Sequence, residues 1–202
     1  MKERINKLFR LFLGTTLASF SIACVVQSGL GMFPTTCANF ALANWLGITV
    51  GTAGFLVELI VLAIVYYLGE GVSITGIVNM TLGSFLIDVF IWLLPTNKLM
   101  IIGLLLSGFA WALQGSAGLG ETNNNLLVTA ILKRCKIKIG TLKVIQEVIY
   151  LIIGFIGARN TVTLFTLMLS LGIGYLIQIE YKLAKFDPTK IKQSFLIKRK
   201  HA

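Results

Sequence analysis

The sequence predicts an all-α membrane protein: a polytopic bundle of six transmembrane helices and two shorter half-helices, built as two inverted-topology repeats. Three observations lead to this prediction. Hydrophobic residues make up 56% of the 202-residue chain, charged residues make up 13%, and the mean hydropathy is +0.86. Most Lys and Arg residues are gathered in three clusters. The sequence also matches itself when it is shifted by 89 residues.

The spans follow from the apolar segments. Crossing ~30 Å of hydrocarbon requires an α-helix of ~20 residues, and several segments approach that length. Helices are expected because a lipid-exposed backbone must satisfy its own hydrogen bonds. About a quarter of the residues in a soluble domain are usually charged, so the 13% found here excludes a soluble domain. The predicted spans are about 9–27, 52–68, 75–94, 99–117, 141–157 and 161–179.

The internal repeat is carried by glycines, a threonine and a carboxylate, which apolar chains do not match by chance. The matched pairs are Gly29-Leu30-Gly31 with Gly118-Leu119-Gly120, Gly51-Thr52 with Gly140-Thr141, and Glu58 with Glu147. The repeats, 9–94 and 98–179, predict one membrane domain over 1–180 and a basic tail at 181–202. Because 9–27 corresponds to an internal span, we expect it to be a retained helix rather than a signal peptide.

The basic clusters predict the orientation in the membrane. Four Lys/Arg lie at the N-terminus, five lie in 133–143 and seven lie in 182–200, which leaves only Lys98 and Arg159. With six spans, all three clusters fall on one side, which predicts that both termini are cytoplasmic. The clusters indicate topology and contact with the lipid bilayer, and no nucleic acid partner is expected.

The two halves are predicted to enter the membrane in opposite directions. Residues 28–51 contain no Lys or Arg, whereas their counterpart 117–140 carries most of the central cluster. An odd number of spans in each half gives an inverted-topology repeat. If the apolar stretches 35–46 and 124–132 also crossed, a parallel repeat would result, and the charges would tolerate it. Twelve helical residues rise only about 18 Å, so re-entrant or interfacial half-helices are favoured.

The starts of the half-helices form the first candidate site. Pro suits the first helical turn, and Thr and Asn can cap free amide donors. Two helix N-termini that meet near the midplane would favour an anion or a polar solute. The alternative is a pair of loops with ordinary capping. The substrate-binding candidates at these starts are Pro34, Thr35, Thr36, Asn39, Asn123, Asn124 and Asn125.

Intramembrane carboxylates form the second candidate site. Glu58 and Glu147 each lie some two turns inside a span, where a carboxylate is costly and usually faces a partner or a cavity. Lys143 precedes Glu147 by four residues and predicts a local ion pair, whereas Gly54 holds that position before Glu58. The alternative for Glu58 is a neutral packing residue. Asp88 is a further candidate, unless it is simply interfacial.

Other motifs narrow the function. No Walker motif, zinc-ligand cluster or Ser-His-Asp set is present, so neither an enzyme nor a metal or other cofactor is expected. The positions of Cys24, Cys37 and Cys135, in a span, outside and inside, indicate no disulfide framework. Four amides are more typical of hydrogen bonds between helices than of ligand contacts: Gln27, Asn79, Gln114 and Gln146.

Short motifs in both halves resemble a known family. The first half contains Gly29-x-Gly31-x-x-Pro34, Gly47-Ile48-Thr49-x-Gly51, Glu58 and Gly83-x-x-x-Ile87-Asp88; the second contains Gly118-Leu119-Gly120 and Gly140-x-x-Lys143-x-x-x-Glu147. This pattern resembles YczE/YitT-type bacterial integral membrane proteins up to about residue 180. The resemblance implies a bacterial cytoplasmic-membrane protein, and transport is the usual assumption for the family.

The function expected from the sequence is that of a small secondary transporter or permease. Its partners would be the bilayer, a small polar or ionic solute and, in a homodimer, a second copy. One alternative is the substrate-capture subunit of a vitamin transporter, which would require a partner that carries an ATPase. Another is a membrane scaffold or accessory protein, which would tolerate Glu58→Gln fully.

Overall fold

The computed structural model describes residues 2–96, 99–135, 137–168 and 170. Within this part of the chain the regular structure is helical. A π-helical turn at Asn79–Gly83 joins two helices, a 3-10 turn lies at Arg159–Thr161, and helical backbone resumes at 164–168. The helices are α1 (Lys2–Gln27), α2 (Pro34–Leu46), α3 (Val50–Tyr67), α4 (Ile74–Val78), α5 (Ser84–Leu93), α6 (Met100–Ser116), α7 (Asn123–Leu132) and α8 (Ile139–Gly157).

Among the described residues, four helical segments are long and apolar enough to cross a membrane. They are α1, α3, α8 and the continuous segment Ile74–Leu93, while α6 is apolar but has only 17 residues. Large apolar side chains such as Tyr67 and Trp92 are 88% and 83% exposed, as expected of a surface that faces lipid. The protein is therefore a helical membrane bundle. The sixth predicted span, 161–179, lies largely outside the described residues.

Helices α1 and α6 pack closely in antiparallel directions. A Cβ added at Gly14 would lie 2.7 Å from Gln114 Cγ, and one added at Gly103 would lie 2.9 Å from Val25 Cγ2. Ser21 Oγ also donates a hydrogen bond to the Gly103 carbonyl over 2.5 Å. Residue numbers rise along α1 as they fall along α6, and both glycines lie where one helix approaches the other most closely.

Helix α2 runs parallel to α8. A Cβ added at Gly154 would lie 2.6 Å from Cys37 Cβ, and one added at Gly157 would lie 2.6 Å from Ala41 Cβ. The contacting residues follow the same order along both helices, which shows that the two helices are parallel. Near the C-terminal ends of both helices, Asn44 Nδ2 donates a 3.1 Å hydrogen bond to the Gly157 carbonyl.

Helix α7 runs parallel to α3 in the same way. Asn124, in the first turn of α7, contacts Glu58 in the middle of α3, and Arg134 beyond the end of α7 donates to the Leu68 carbonyl at the end of α3. Lys133 also pairs with Glu70, Nζ to Oε1 2.8 Å. The start of α7 therefore lies inside the bundle rather than at its end.

The short helices α2 and α7 begin within one residue of the positions predicted for the half-helices, but the predicted capping is wrong. The N-cap residues are Phe33 for α2 and Thr122 for α7, and neither side chain makes a capping hydrogen bond. Pro34 holds the first turn of α2, as predicted. In the loops before the helices, Gly29 and Gly118 have φ values of 66° and 63°, which favour glycine.

The predicted hydrogen bonds between helices are present. Gln114 Nε2 donates to Asn79 Oδ1 over 3.0 Å and to Thr15 Oγ1 over 3.2 Å, which joins α6 to the π-turn and α1. Gln27 Nε2 donates to the Ile91 carbonyl over 2.6 Å. These amides stabilise helix packing, as amides commonly do in membrane bundles.

Candidate functional site

The carboxyl group of Glu58 faces the start of α7. Asn124 Nδ2 donates a hydrogen bond to Glu58 Oε1, whereas Glu58 Oε2 is buried and accepts none. Asn123 is fully buried beside this carboxyl group, and its own Oδ1 also lacks a partner. Its Nδ2 donates weakly to the Gly76 carbonyl, 3.4 Å away. One oxygen of Glu58 is therefore free to accept a hydrogen bond inside the bundle.

Asn124 connects Glu58 to α8. Gln146 Nε2 donates to Asn124 Oδ1 over 2.9 Å, and the Tyr150 hydroxyl donates to the same oxygen. On the other side of Gln146, Lys143 Nζ donates to Gln146 Oε1 over 2.8 Å. One asparagine in the first turn of a half-helix thus joins the middle of α3 to the middle of α8.

The lysine completes a link between the two predicted carboxylates. Lys143 Nζ lies 3.2 Å from Glu147 Oε1, which confirms the predicted ion pair. Glu58, Asn124, Gln146, Lys143 and Glu147 therefore form one continuous set of polar contacts, which we call the buried polar chain. Two carboxylates lie at its ends and one ammonium group lies within it.

The sequence of α8 explains why these side chains meet. Lys143, Gln146, Glu147 and Tyr150 follow the i, i+3, i+4 and i+7 spacing that puts side chains on one face of an α-helix. All four are less than 10% exposed, so this polar face points into the protein while the rest of α8 is apolar. Sequence reasoning missed Tyr150 and assigned Gln146 to packing, although the spacing could have identified both.

Glu121, in the loop before α7, is a second residue that sequence reasoning missed. Its Oε2 is buried without a hydrogen-bond partner, and its backbone carbonyl accepts a hydrogen bond from Ser73 Oγ. Burial raises the pKa of the Glu121 carboxyl group to about 7, opposed by the nearby positive charges of Lys133 and Lys143. The sequence feature that could have identified Glu121 is its position between a glycine turn and three asparagines.

Asp88 lies away from the buried polar chain. Its Oδ1 accepts a 2.7 Å hydrogen bond from the Gly51 amide, and its Oδ2 accepts one from Thr49 Oγ1 over 2.5 Å. A carboxylate in this position satisfies free amides and the positive end of the α3 dipole. The structure therefore places Asp88 as a cap that holds α5 against the start of α3.

The remaining predicted residues are divided between α2 and α7. Asn39 faces Gly54 on α3: its Nδ2 lies 2.9 Å from where a Cβ on Gly54 would lie, and its buried Oδ1 has no partner. Gly54 is one turn before Glu58 on α3, so Asn39 of α2 packs against the face of α3 that carries Glu58. Thr36 is buried, while Thr35 and Asn125 are partly buried.

The site can hold and neutralise charge. It offers carboxylate and amide oxygens as acceptors around the start of α7, together with one buried ammonium group. Across the described ranges, no group of three His, Cys, Asp or Glu residues could hold a metal ion.

The comparisons with known proteins identify a family. A family model described as "Family of unknown function (DUF6198)" matches residues 5–191, so the chain belongs to that family. No curated protein and no solved structure matches the chain.

Proposed function

We propose that this member of DUF6198 is a small membrane permease that binds a polar or ionic solute at the buried polar chain. The observation that carries the proposal is Glu58 Oε2, a buried carboxylate oxygen without a hydrogen-bond partner in the middle of a candidate span. An unsatisfied acceptor of this kind is costly in a bundle that only has to fold. A solute that donates a hydrogen bond to Glu58 Oε2 during transport would offset this cost.

Helix positions support a substrate site between two inverted repeats. Helices α2 and α7 begin at Pro34 and Asn123, and α3 and α8 begin at Val50 and Ile139, so each pair keeps the 89-residue spacing of the sequence repeat. The antiparallel packing of α1 against α6 is what a twofold axis in the membrane plane would produce. We infer that the halves are inverted repeats.

The depth of α7 supports re-entrant half-helices. Its first turn contacts Glu58, the ninth of the 18 residues of α3, and it ends beside the last turn of α3. A helix that starts level with the middle of a span and leaves on one side does not cross the bilayer. We infer that α7 and, by the repeat, α2 enter from opposite sides, with 28–51 facing outward and 133–143 facing the cytoplasm.

The proposed setting is the bacterial cytoplasmic membrane, with both termini inside. The basis for the orientation is the gathering of Lys and Arg into three clusters that fall on one side of a six-span bundle, and the basis for a bacterial membrane is the resemblance to YczE/YitT-type proteins. A relationship to YczE/YitT-type proteins stays a prediction from the short motifs, because the match to DUF6198 does not link the chain to those proteins.

Reconstitution tests the function. The protein, Glu58→Gln and the matched surface control Glu3→Gln would be placed in liposomes, and solute-induced currents and pH changes would be followed for a panel of small cations, anions and neutral polar solutes. Glu3 is 82% exposed, so its substitution makes the same chemical change outside the bundle. We expect at least one solute to give a signal that Glu58→Gln reduces and Glu3→Gln leaves intact. No signal for any solute, or equal signals from all three proteins, would favour the scaffold alternative.

A further inference from the structure

We propose that the solute of this site is a small cation that carries an ammonium group, bound by the carboxylate of Glu58. The inference rests on the proposed function and names its substrate class. Three separate observations lead to it: the difference between the two carboxylates, the chemical type of the free atoms, and the engagement of the available donors.

The environment of Glu147 provides a template for the missing partner of Glu58. Glu147 binds the ammonium group of Lys143, which lies four residues earlier on the same helical face. Glu58 has Gly54 at the corresponding position, so α3 supplies no ammonium group there. A solute with an ammonium group would give Glu58 the interaction that Lys143 gives Glu147.

The atoms without a hydrogen-bond partner at the start of α7 are all oxygens. Glu58 Oε2, Asn123 Oδ1 and Glu121 Oε2 are buried oxygens without hydrogen-bond partners. Asn123 is 0% exposed and lies beside the Glu58 carboxyl group, so a second buried polar side chain borders the same place. A ligand that satisfies such atoms must bring hydrogen-bond donors or a positive charge, and an ammonium group brings three N–H donors together with a charge.

Most donors near Glu58 are already engaged, whereas Asn123 Nδ2 makes only a 3.4 Å hydrogen bond to the Gly76 carbonyl. Asn124 Nδ2 donates to Glu58, Gln146 Nε2 donates to Asn124, and Lys143 Nζ contacts both Gln146 and Glu147. An anionic solute would have to break these contacts and would meet the unpaired oxygen of a carboxylate. The uncapped amides of α7, taken alone, favour an anion, but the carboxyl group of Glu58 already faces that end of the helix.

Binding to purified protein in lipid nanodiscs tests the substrate class. Methylammonium is the probe, and tetramethylammonium is the matched control because it has the same charge but no N–H donor. Sodium and formate complete the series. We expect calorimetry to show methylammonium binding at least tenfold more tightly than tetramethylammonium. Glu58→Gln should weaken methylammonium binding at least tenfold, and Glu3→Gln should leave it unchanged.

A second variant covers the case in which Glu58→Gln does not fold. Gly54→Lys attaches an ammonium group at the position that Lys143 holds relative to Glu147. An added Cβ at this position would lie 2.9 Å from Asn39 Nδ2, the flexible end of that side chain, and no closer than 3.5 Å to any other atom. The tethered ammonium group should compete with the solute, so a folded Gly54→Lys protein should lose methylammonium binding.

The outcomes separate this inference from the proposed function. If formate or sodium binds in a way that depends on Glu58 while methylammonium does not, the ammonium class is wrong and the site survives. The ammonium class is equally wrong if tetramethylammonium binds as tightly as methylammonium. If no probe binds, or if Glu58→Gln and Gly54→Lys both leave binding unchanged, the ammonium proposal falls; the liposome panel then decides the permease proposal by itself.

Discussion

Lys143 and Glu147 form a buried ion pair on one face of α8, with side chains that are 9% and 3% exposed. Because Lys143 also donates to Gln146, its ammonium group is held between the carboxylate and the rest of the buried polar chain. A charge in such a place is tolerable only while its partner is present.

Glu147→Gln should therefore destabilise the protein. The substitution leaves the Lys143 ammonium group buried without its counter-charge, and breaking a buried pair from one side costs about 3–5 kcal/mol. Thermal unfolding in detergent measures the effect. The double variant Lys143→Met/Glu147→Gln removes both charges and should recover most of the loss. Equal stability of wild type and Glu147→Gln would contradict the role given to this pair.

Glu58→Gln should behave differently. The amide keeps the shape of the side chain and can still bond to Asn124, so we expect a melting temperature close to that of the wild type. Any pH dependence of binding that comes from Glu58 should disappear, because Gln does not titrate. Lys143 and Tyr150 on α8 also face this group and remain in the variant. A large drop in melting temperature with unchanged binding curves would make Glu58 a packing residue.

The sequence allowed local features to be predicted well. The start of α2 at Pro34 follows from a glycine turn before a proline, and the pair between Lys143 and Glu147 follows from a four-residue spacing within one helix. Each of these depends on residues that are close in the chain. Four of the six predicted spans coincide with helices long and apolar enough to cross a membrane, since apolar length is a local property.

Long-range contacts could not be predicted in the same way. The hydrogen bond from Asn124 to Glu58 joins residues 66 positions apart, and it depends on how α7 packs along α3. The role of Asp88 as a cap for α3 was equally hidden, because it depends on the contact between α5 and the start of α3. Neither α7 nor α5 contains a sequence pattern that identifies α3 as the helix against which it packs.

Close packing of α1 against α6 predicts equal sensitivity at two glycines. Gly14→Leu and Gly103→Leu would each push a side chain into the opposite helix, where even a Cβ would lie under 3.0 Å from Gln114 Cγ or Val25 Cγ2. We expect both to lower the melting temperature by a similar amount. Gly108→Ala on the same α6 is the control: an added Cβ there has no neighbour within 4 Å, so the protein should be as stable or slightly more stable.

Accessibility of cysteines tests the proposed orientation, with one change imposed by the structure. Cys37 was expected outside, but it is fully buried and will not report on either side, whereas Cys135 is exposed. Exposed positions on the proposed outer side are Thr96 and Asn160. In intact cells, an impermeant thiol reagent should label Thr96→Cys and Asn160→Cys, and it should label Cys135 only after permeabilisation. The reverse pattern would invert the topology.

Glu121 should make the stability of the protein depend on pH. Burial raises the pKa of its carboxyl group from 4.5 to about 7, so the folded state holds a proton that the unfolded state releases between these values. Stability should therefore be highest below pH 4.5 and should fall as the pH rises toward 7, by on the order of 3 kcal/mol. Chemical unfolding from pH 4.5 to 7.5 measures this slope, and Glu121→Gln should reduce it. A slope that is unchanged in the variant would assign the titration to another group.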